Sequence, residues 1–249
     1  MSKVVLITGG SRGIGAAVAR QAAAAQYAVA INYVGDKSAA DALLAELKAA
    51  GANAITVQGD VAKLADVIRL FDETEEALGP VTHLVNSAGI TGRSSRLDAV
   101  DPQVIIDTIA VNLTGNIFCA REAVKRMSTR HGGKGGVIVN LSSAAATLGS
   151  PGEYTWYAAS KGGIDSFTIG LAKEVAEEGI RVVSVTPGMV DTEIHERSTG
   201  DRARVERIRP MIPMKRIGSA DEIANAVLFM MSDAASYITG TTIRVSGGR

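Results

Sequence analysis

Tyr157 and Lys161 are the two side chains whose types and spacing are best suited to chemistry. Residues four positions apart share one face of a helix, so a helix here would bring the Lys161 ammonium close to the Tyr157 phenol. A neighbouring positive charge favours the phenolate and lowers the pKa of the phenol. Moving that pKa from about 10 to near 7 requires about 4 kcal/mol of stabilisation. The pair is a candidate proton donor if the chain also supplies a cofactor, a helper hydroxyl and a pocket. Without them it is compatible with a packed core tyrosine and an exposed lysine.

A glycine-rich turn follows the first apolar run and precedes an alanine-rich amphipathic stretch. Amides at a helix N-terminus favour phosphate oxygens, and glycines let the backbone approach them closely. The glycine spacing is Gly-x3-Gly-x-Gly rather than the commoner Gly-x-Gly-x2-Gly, so a merely flexible turn is the alternative. Because the turn follows the first strand of an alternating chain, we predict that it binds the phosphates of a dinucleotide. The residues concerned are Gly9, Ser11, Arg12, Gly13, Ile14 and Gly15.

The residues after the second apolar run bear on which dinucleotide binds. An acidic residue at the end of that strand would hydrogen-bond a free ribose 2′-hydroxyl, but no carboxylate occurs before Asp36. Arg12 and Lys37 offer positive charge instead. The sequence therefore favours NADP over NAD, and the alternative is that both cations are simply solvated.

Apolar runs alternate with amphipathic stretches along the whole chain. The predicted strands are Val4–Thr8, Val29–Tyr33, Ala54–Gln58, Val81–Asn86, Gly136–Leu141, Arg181–Thr186 and Thr241–Val245. The predicted helices are Ile14–Ala25, Ser38–Ala50, Leu64–Leu78, Asp101–Arg130, Trp156–Glu178 and Ala220–Met231. This alternation predicts an α/β fold: a doubly wound, mainly parallel, seven-stranded sheet with helices on both faces. We expect one domain over residues 1–249.

Composition narrows the classes of partner. Lys plus Arg and Asp plus Glu both number 26, so no net charge favours nucleic acid or an anionic membrane. Cys119 is the only cysteine, which is compatible with a reducing compartment. Three histidines, His83, His131 and His195, lack the spacing of metal ligands. We find no secretory signal and no apolar run approaching the length of a membrane span, and we expect a soluble, cytoplasmic protein with a small-molecule partner.

Several motifs now resemble those of one family. The glycine turn, Asn86-Ser87-Ala88-Gly89, Asn112, Ser143 and Tyr157-x3-Lys161 occur in the order and spacing of the short-chain dehydrogenase/reductases, and the resemblance extends from Val4 to Gly247-Gly248. In detail the chain resembles the bacterial branch with 3-oxoacyl-carrier reductases and glucose dehydrogenases. Ser87 and Ala146 replace an asparagine and a glycine that are usual in the family. The second departure leaves two candidate serines, Ser143 and, as the fallback, Ser142.

The resemblance implies a Rossmann fold and a set of site residues. Ser143 would hydrogen-bond the substrate oxygen, Lys161 would also hold the nicotinamide ribose, and Asn112 would support a water chain that returns the proton. Asp60 would touch adenine, although capping of the following helix is the alternative. The remaining implied cofactor contacts are Asn32, Tyr33, Lys37, Val61, Asn86, Ala88, Gly89, Tyr157, Pro187, Gly188, Val190 and Thr192. Family members commonly form homotetramers through two long helices and the last strand.

Residues 189–218 are the predicted substrate lid, because they follow a sheet strand, where α/β folds keep their ligand crevice. The lid is rich in flexible apolar residues, namely Met189, Ile194, Met211, Ile212 and Met214. Glu153 and Tyr154 are candidates for a further wall, and Trp156 is equally suited to the wall and to the core.

The reaction predicted from these residues is NADP-dependent interconversion of a small carbonyl compound and its secondary alcohol. Carrier reductases of this family tend to place a basic residue where this chain has Glu177-Glu178, so a free carbonyl substrate is favoured. The alternatives are an NAD(P)-dependent sugar or polyol dehydrogenase, a 3-oxoacyl-carrier reductase, and a catalytically silent dinucleotide-binding sensor.

Overall fold

The computed structural model describes residues 3–192 and 203–249. Seven strands form one sheet in the order β3-β2-β1-β4-β5-β6-β7, and every neighbouring pair is parallel. The predicted seven-stranded doubly wound sheet is therefore confirmed. The strands are β1 Val4–Thr8, β2 Ala28–Tyr33, β3 Ala54–Gln58, β4 His83–Asn86, β5 Gly136–Leu141, β6 Ile180–Pro187 and β7 Thr242–Val245.

Helices connect the strands and cover both faces of the sheet. They are α1 Gly13–Ala24, α2 Lys37–Ala49, α3 Leu64–Leu78, α4 Pro102–Ile109, α5 Asn116–Met127, α6 Ala145–Leu148, α7 Thr155–Val175, α8 Ala203–Ile208 and α9 Ala220–Met231. Helices α6 and α8 were not predicted. Both are short, so neither shows a full amphipathic repeat in the sequence. By contrast, α9 begins with a capping box between Ser219 and Glu222, which is a helix-start motif that can be recognised in the sequence.

The long helical region predicted over Asp101–Arg130 extends from Pro102 to Met127 and changes its winding midway. Ala110–Gly115 forms a π-helical segment between α4 and α5. Single π turns inside α-helices are rare and frequently occur at functional sites. Asn112 lies within this segment, so the change of winding directly affects where that side chain points.

Two apolar layers enclose the sheet. One layer contains residues of α1, α2 and α9, including Val18, Leu43 and Val227. The other contains residues of α3, α5 and α7. Strand β1 is buried along its whole length because both its faces are covered, which explains its continuous apolar run.

Among the described residues, the helical stretch Pro102–Met127 is long and apolar enough to cross a membrane by length and composition. The sequence shows no uninterrupted apolar run of this length, because polar residues such as Asn112 and Asn116 interrupt the stretch. Its inner side contributes Cys119 and Ala123 to the layer beneath the sheet. One side of the stretch is therefore packed against the sheet, and 33% of its apolar window is buried.

Candidate active site

A cleft of ≈1360 Å³ opens at the carboxyl ends of the strands. Parallel α/β sheets bind ligands at this edge, beside the point where the strand order reverses. Strands β1 and β4 meet at that point, with Thr8 paired to Asn86. The turns that follow β1, β2, β4, β5 and β6 all contribute lining residues.

The glycine turn forms one end of the cleft, and its glycines have steric reasons to be there. A Cβ at Gly9 would lie 2.8 Å from Ala88 Cα, and one at Gly15 would lie 2.5 Å from the Gly9 oxygen. Gly9 and Gly13 also have positive φ, which favours glycine. Arg12, the N-cap of α1, provides no side-chain cap, and the first turn holds no acidic residue. The first amides of α1 are thus left to an anionic ligand, which fits a dinucleotide phosphate.

Buried polar side chains hold this turn from below. Asn32 is fully buried, accepts a hydrogen bond from the Gly9 amide at 3.1 Å and donates to the Gly59 oxygen at 2.9 Å. Thr8 Oγ1 accepts from the amides of Ser87 and Ala88, both at 3.1 Å. Asn32 therefore shapes the turn and does not line the cleft as the sequence suggested for a cofactor contact.

Arg12 and Asp36 form an ion pair at the cleft wall. Arg12 Nη1 lies 2.7 Å from Asp36 Oδ2, and Asp36 Oδ1 caps α2 by accepting from the Ala39 amide. Lys37 instead pairs with Asp41 at 2.6 Å on the exposed side of α2 and does not line the cleft. Of the two predicted cations, only Arg12 is placed where it can contact a cofactor.

Asp60 and Val61 both line the cleft. Asp60 Oδ1 accepts a hydrogen bond from the Ala62 amide at 3.0 Å, and the Asp60 amide donates to Asp66 Oδ2. Asp60 therefore stabilises the turn before α3, whose N-cap is Lys63, while facing the cleft. Its local hydrogen bond and its predicted contact with adenine are compatible.

Tyr157 and Lys161 both lie on α7 and both line the cleft, as the helical spacing requires. Lys161 Nζ lies 5.8 Å from the centre of the Tyr157 ring and donates to the Leu141 oxygen at 2.6 Å. Burial lowers the pKa of Lys161 to about 8, and the carboxylate of Asp165 opposes that shift. Burial raises the pKa of Tyr157 above its ordinary value, and a hydrogen bond with Ser143 opposes the increase. The protein's own groups thus do not produce the lowered phenol pKa expected from the sequence.

The two candidate serines face different ways. Ser143 lines the cleft beside Tyr157 and accepts a hydrogen bond from the Ala145 amide at 3.2 Å, at the start of α6. Ser142 also borders the cleft, but it is buried and its hydroxyl donates to the Lys161 oxygen at 3.3 Å. Consecutive residues leaving a strand point to opposite sides. Ser143 is therefore the serine that the fold brings to Tyr157.

Asn112 is buried and fully engaged with its own chain. Its Oδ1 accepts from the Ile90 amide at 2.8 Å, while its Nδ2 donates to the Ile90 oxygen at 2.8 Å and to Ser160 Oγ at 3.1 Å. A Cβ at Gly89 would lie 3.4 Å from Asn112 Oδ1 and 3.7 Å from Lys161 Nζ. Asn112 thus lies behind Gly89, which separates it from the cleft. Its hydrogen bonds to Ile90 fix the loop after β4.

Asn86 forms part of a buried amide cluster beneath the cleft. Its Nδ2 donates to Asn140 Oδ1 at 3.0 Å and to Asn116 Oδ1 at 3.2 Å. It does not line the cleft, whereas Ala88 and Gly89 do. On the opposite wall, four further predicted cofactor contacts line it, namely Pro187, Gly188, Val190 and Thr192. Tyr33 lines it at the end of β2.

Only some residues of the predicted lid line the other end of the cleft within the described part of the chain. Met189 and Met211 line the cleft, Ile212 is buried, and Met214 is exposed away from it. Ile194 lies outside the described residues. Glu153 and Tyr154 line the cleft, as expected for a wall. Trp156 belongs to the interior, where its Nε1 donates to the Thr91 oxygen at 2.9 Å.

Comparison with known proteins decides the family. The chain matches, over residues 9–249, the family model described as enoyl-(acyl carrier protein) reductase. The protein is a short-chain dehydrogenase/reductase. It is 45% identical to the uncharacterized oxidoreductase YgfF of Escherichia coli (strain K12), covering 99% of both chains. It is 39% identical to the 3-oxoacyl-[acyl-carrier-protein] reductase FabG of Staphylococcus aureus, covering 100% of this chain and 98% of that one.

A solved structure supports the same assignment. A short-chain dehydrogenase from Burkholderia cenocepacia J2315, in complex with NADP, is 35% identical and superimposes with a TM-score of 0.91. The match covers 99% of this chain and 97% of the other. The short-chain dehydrogenase/reductase fold therefore extends over the whole described chain.

Sequence inspection of this short-chain dehydrogenase/reductase missed several cleft residues. They are Asp36, Thr91, Gly92, Arg93, Leu148, Arg204 and Arg249. Their signal is weak because they come from segments far apart along the chain, including the short helices α6 and α8, and only the tertiary fold brings them together. Within residues 3–192 and 203–249, no cluster of three or more His, Cys, Asp or Glu side chains is suited to a metal ion.

Proposed function

We propose that this protein is an NADP(H)-dependent oxidoreductase that interconverts a small carbonyl compound and its secondary alcohol. The observation that carries the proposal is the convergence of Tyr157, Lys161 and Ser143 in one cleft with a phosphate-type glycine turn. When bound, the nicotinamide supplies hydride to the substrate carbon. The protein must then supply the proton and stabilise the charge that develops on the substrate oxygen.

Tyr157 is the proposed general acid and Ser143 the proposed hydrogen-bond donor to the same oxygen. Because burial raises the pKa of Tyr157, its phenol is protonated at neutral pH and ready to donate during reduction. Oxidation of an alcohol needs the phenolate instead, so it requires additional positive charge in the cleft. Lys161, held by Leu141, is the proposed source of part of that charge. The protonated Tyr157 phenol thus favours carbonyl reduction near neutral pH.

NADP is the proposed cofactor. Arg12 lies at the wall between the glycine turn and the end of β2, where a ribose 2′-phosphate would be placed by family resemblance. A guanidinium suits phosphate recognition because of its planar set of donors. The NADP-bound relative from Burkholderia supports the choice. The Asp36 carboxylate beside Arg12 weakens the attraction, so we propose a preference for NADP without strict exclusion of NAD.

A free carbonyl compound is the proposed substrate, in preference to a carrier-bound one. Relatives named as 3-oxoacyl-carrier reductases make the carrier-bound substrate the second candidate. An acidic carrier protein requires a basic surface on which to dock. Arg130 offers a cation at the end of α5, but Glu178 lies 3.3 Å away and is itself buried against Ser128. The paired Arg130 is therefore less attractive to an acidic partner.

We further propose one soluble, cytoplasmic domain over residues 1–249 that assembles as a homotetramer. Ile106 and Ile169 are 58% and 43% exposed on the helices that family members use for assembly, and Phe229 on α9 is 44% exposed. Burying such side chains in an interface is favourable. Sedimentation velocity tests the assembly, and a stable monomer would contradict it.

The reaction is tested by a panel of ketones, 3-oxoesters, sugars and secondary alcohols with NADPH, NADH and their oxidised forms. We expect NADPH-dependent reduction of at least one small carbonyl compound. In Tyr157→Phe we expect kcat to fall by about 100-fold or more, with NADPH still bound. Turnover of carrier-bound substrate alone would favour the second candidate. Cofactor binding without turnover across the panel would indicate a silent dinucleotide-binding sensor.

A further inference from the structure

Arg204 connects the lid to the turn that precedes Tyr157. Its Nε and Nη2 donate to the two carboxylate oxygens of Glu153 at 2.9 and 2.6 Å. Nη2 also donates to the Tyr154 hydroxyl at 2.5 Å, and the guanidinium carbon lies 5.5 Å from the centre of the Tyr154 ring. A two-pronged arginine–carboxylate pair fixes orientation as well as distance.

The Arg204 side of this contact is buried, the Glu153 side is partly exposed, and the two charges neutralise each other. The Arg204 side chain is 7% exposed and that of Glu153 36%. The hydrogen bond from Arg204 lowers the pKa of Glu153, so the carboxylate is ionised at neutral pH. A guanidinium already committed to a carboxylate in this way is poorly suited to receive an anionic group of a substrate. Its contacts instead join α8 to the Glu153-Tyr154 turn.

The two ends of the contact both belong to the substrate end of the cleft. Arg204 lies at the start of α8, whose last residue Ile208 lines the cleft. At the other end, the Tyr154 ring meets the Tyr157 ring edge-on, with centroids 5.5 Å apart and planes at 86°. The position of α8 is thus transmitted to the Tyr157 ring through Tyr154.

We propose that Arg204 is a positioning residue that holds α8 against the Glu153-Tyr154 turn and so fixes the substrate space around Tyr157. Its guanidinium is engaged by Glu153 and Tyr154, so we assign it a positioning role and no direct part in the chemistry. The inference rests on the proposed function for its kinetic consequence, but the anchoring of α8 is a property of the fold alone. A substrate site held this way favours compact substrates, since loosening α8 would enlarge it.

The test compares Arg204→Gln with Arg204→Lys, the double exchange Glu153→Arg/Arg204→Glu, and Arg209→Gln as the control. Arg209 is a matched choice because it belongs to the same segment, pairs with Glu206 at the surface and does not line the cleft. Three quantities are measured on the full chain: amide hydrogen exchange over residues 203–208, the Kd for NADPH, and kcat and KM for a compact and a bulky ketone.

In Arg204→Gln we expect faster exchange over 203–208 and an unchanged Kd for NADPH. We expect kcat/KM for the compact ketone to fall by about tenfold to a hundredfold, mainly through KM, and less for the bulky one. Arg204→Lys and the double exchange should restore part of both effects, and Arg209→Gln should resemble the wild type. Unchanged exchange in Arg204→Gln, or faster exchange with unchanged kcat and KM, would overturn the proposal.

Two further outcomes are separable. If the wild type turns over no carbonyl compound but Arg204→Gln still accelerates exchange, the proposed function fails and the anchoring of α8 stands. If Arg204→Gln does not fold, Glu153→Gln, which keeps the size of the side chain, serves in its place. Wild-type exchange and kinetics in Glu153→Gln would then overturn the proposal.

Discussion

Lys161 Nζ donates a 2.6 Å hydrogen bond to the carbonyl oxygen of Leu141, the last residue of β5. The cation is therefore held by the sheet, with its nitrogen 5.8 Å from the centre of the Tyr157 ring. This arrangement relies on Lys161 being protonated, although burial lowers its pKa to about 8.

The first prediction concerns the pH dependence of cofactor capture. Lys161 is protonated below its pKa, so kcat/KM for NADPH, which reports the free enzyme, should decline as pH rises through about 8. In Asp165→Asn the carboxylate that raises this pKa is removed, and the decline should begin at lower pH. The same decline in both proteins would show that another group is responsible.

The second prediction separates the two serines. Ser143→Ala should reduce kcat by about 100-fold, because it removes a donor to the charge that develops on the substrate oxygen. Ser142→Ala should reduce kcat much less, since the Ser142 hydroxyl is engaged with the Lys161 backbone oxygen and with Asp165 rather than with Tyr157. Steady-state kinetics at saturating NADPH measure both. Equal losses in the two variants would contradict the assignment.

The third prediction tests cofactor choice. Arg12→Ala should weaken NADPH binding by roughly tenfold to a hundredfold, as expected for loss of a charged hydrogen bond, and change NADH binding little. Lys37→Ala is the matched control, because Lys37 is an exposed cation nearby that pairs with Asp41 and does not line the cleft. Asp36→Asn should strengthen NADPH binding by removing a neighbouring negative charge. Fluorescence titration measures each Kd, and equal effects of the Arg12 and Lys37 changes would refute the prediction.

The fourth prediction concerns stability. Burial lowers the pKa of His83 to about 4, and its ring packs edge-on against Tyr27 at 5.0 Å. The unfolded chain protonates this histidine near pH 6.5, whereas the folded chain does so only near pH 4. The contribution of neutral His83 to the free energy of unfolding should therefore be complete above pH 6.5. It should fall by about 3 kcal/mol as pH decreases to about 4.

The matched control for this effect is His131, which is exposed. His83→Gln should flatten the dependence between pH 6.5 and 4 in denaturant unfolding, whereas His131→Gln should leave it unchanged. An identical dependence in the wild type and His83→Gln would assign the acid sensitivity to other groups.

The sheet was predictable because short runs rich in Val, Ile and Leu have clear limits, and β1, β3 and β5 have the predicted bounds. The site was predictable where chemistry and helical spacing coincide, as in Tyr157 and Lys161. The serine assignment needed the fold, because adjacent residues after β5 face opposite sides. Contacts between distant segments were not predictable: Arg204 and Glu153 are 51 positions apart, and although Glu153 was a candidate wall residue, nothing in the sequence indicated its pairing with Arg204.

The π-helical segment Ala110–Gly115 also has a consequence for how this chain tolerates change in length. A π turn holds one more residue than an α turn, so deleting one residue there would restore regular α winding while the helix on either side keeps its orientation. Asn116 would then stay beside Asn86, and the apolar side of α5 would stay against the sheet. A deletion elsewhere in α4 or α5 would instead rotate the rest of the helix by about 100°, so single-residue deletions in this helix should be tolerated best within Ala110–Gly115.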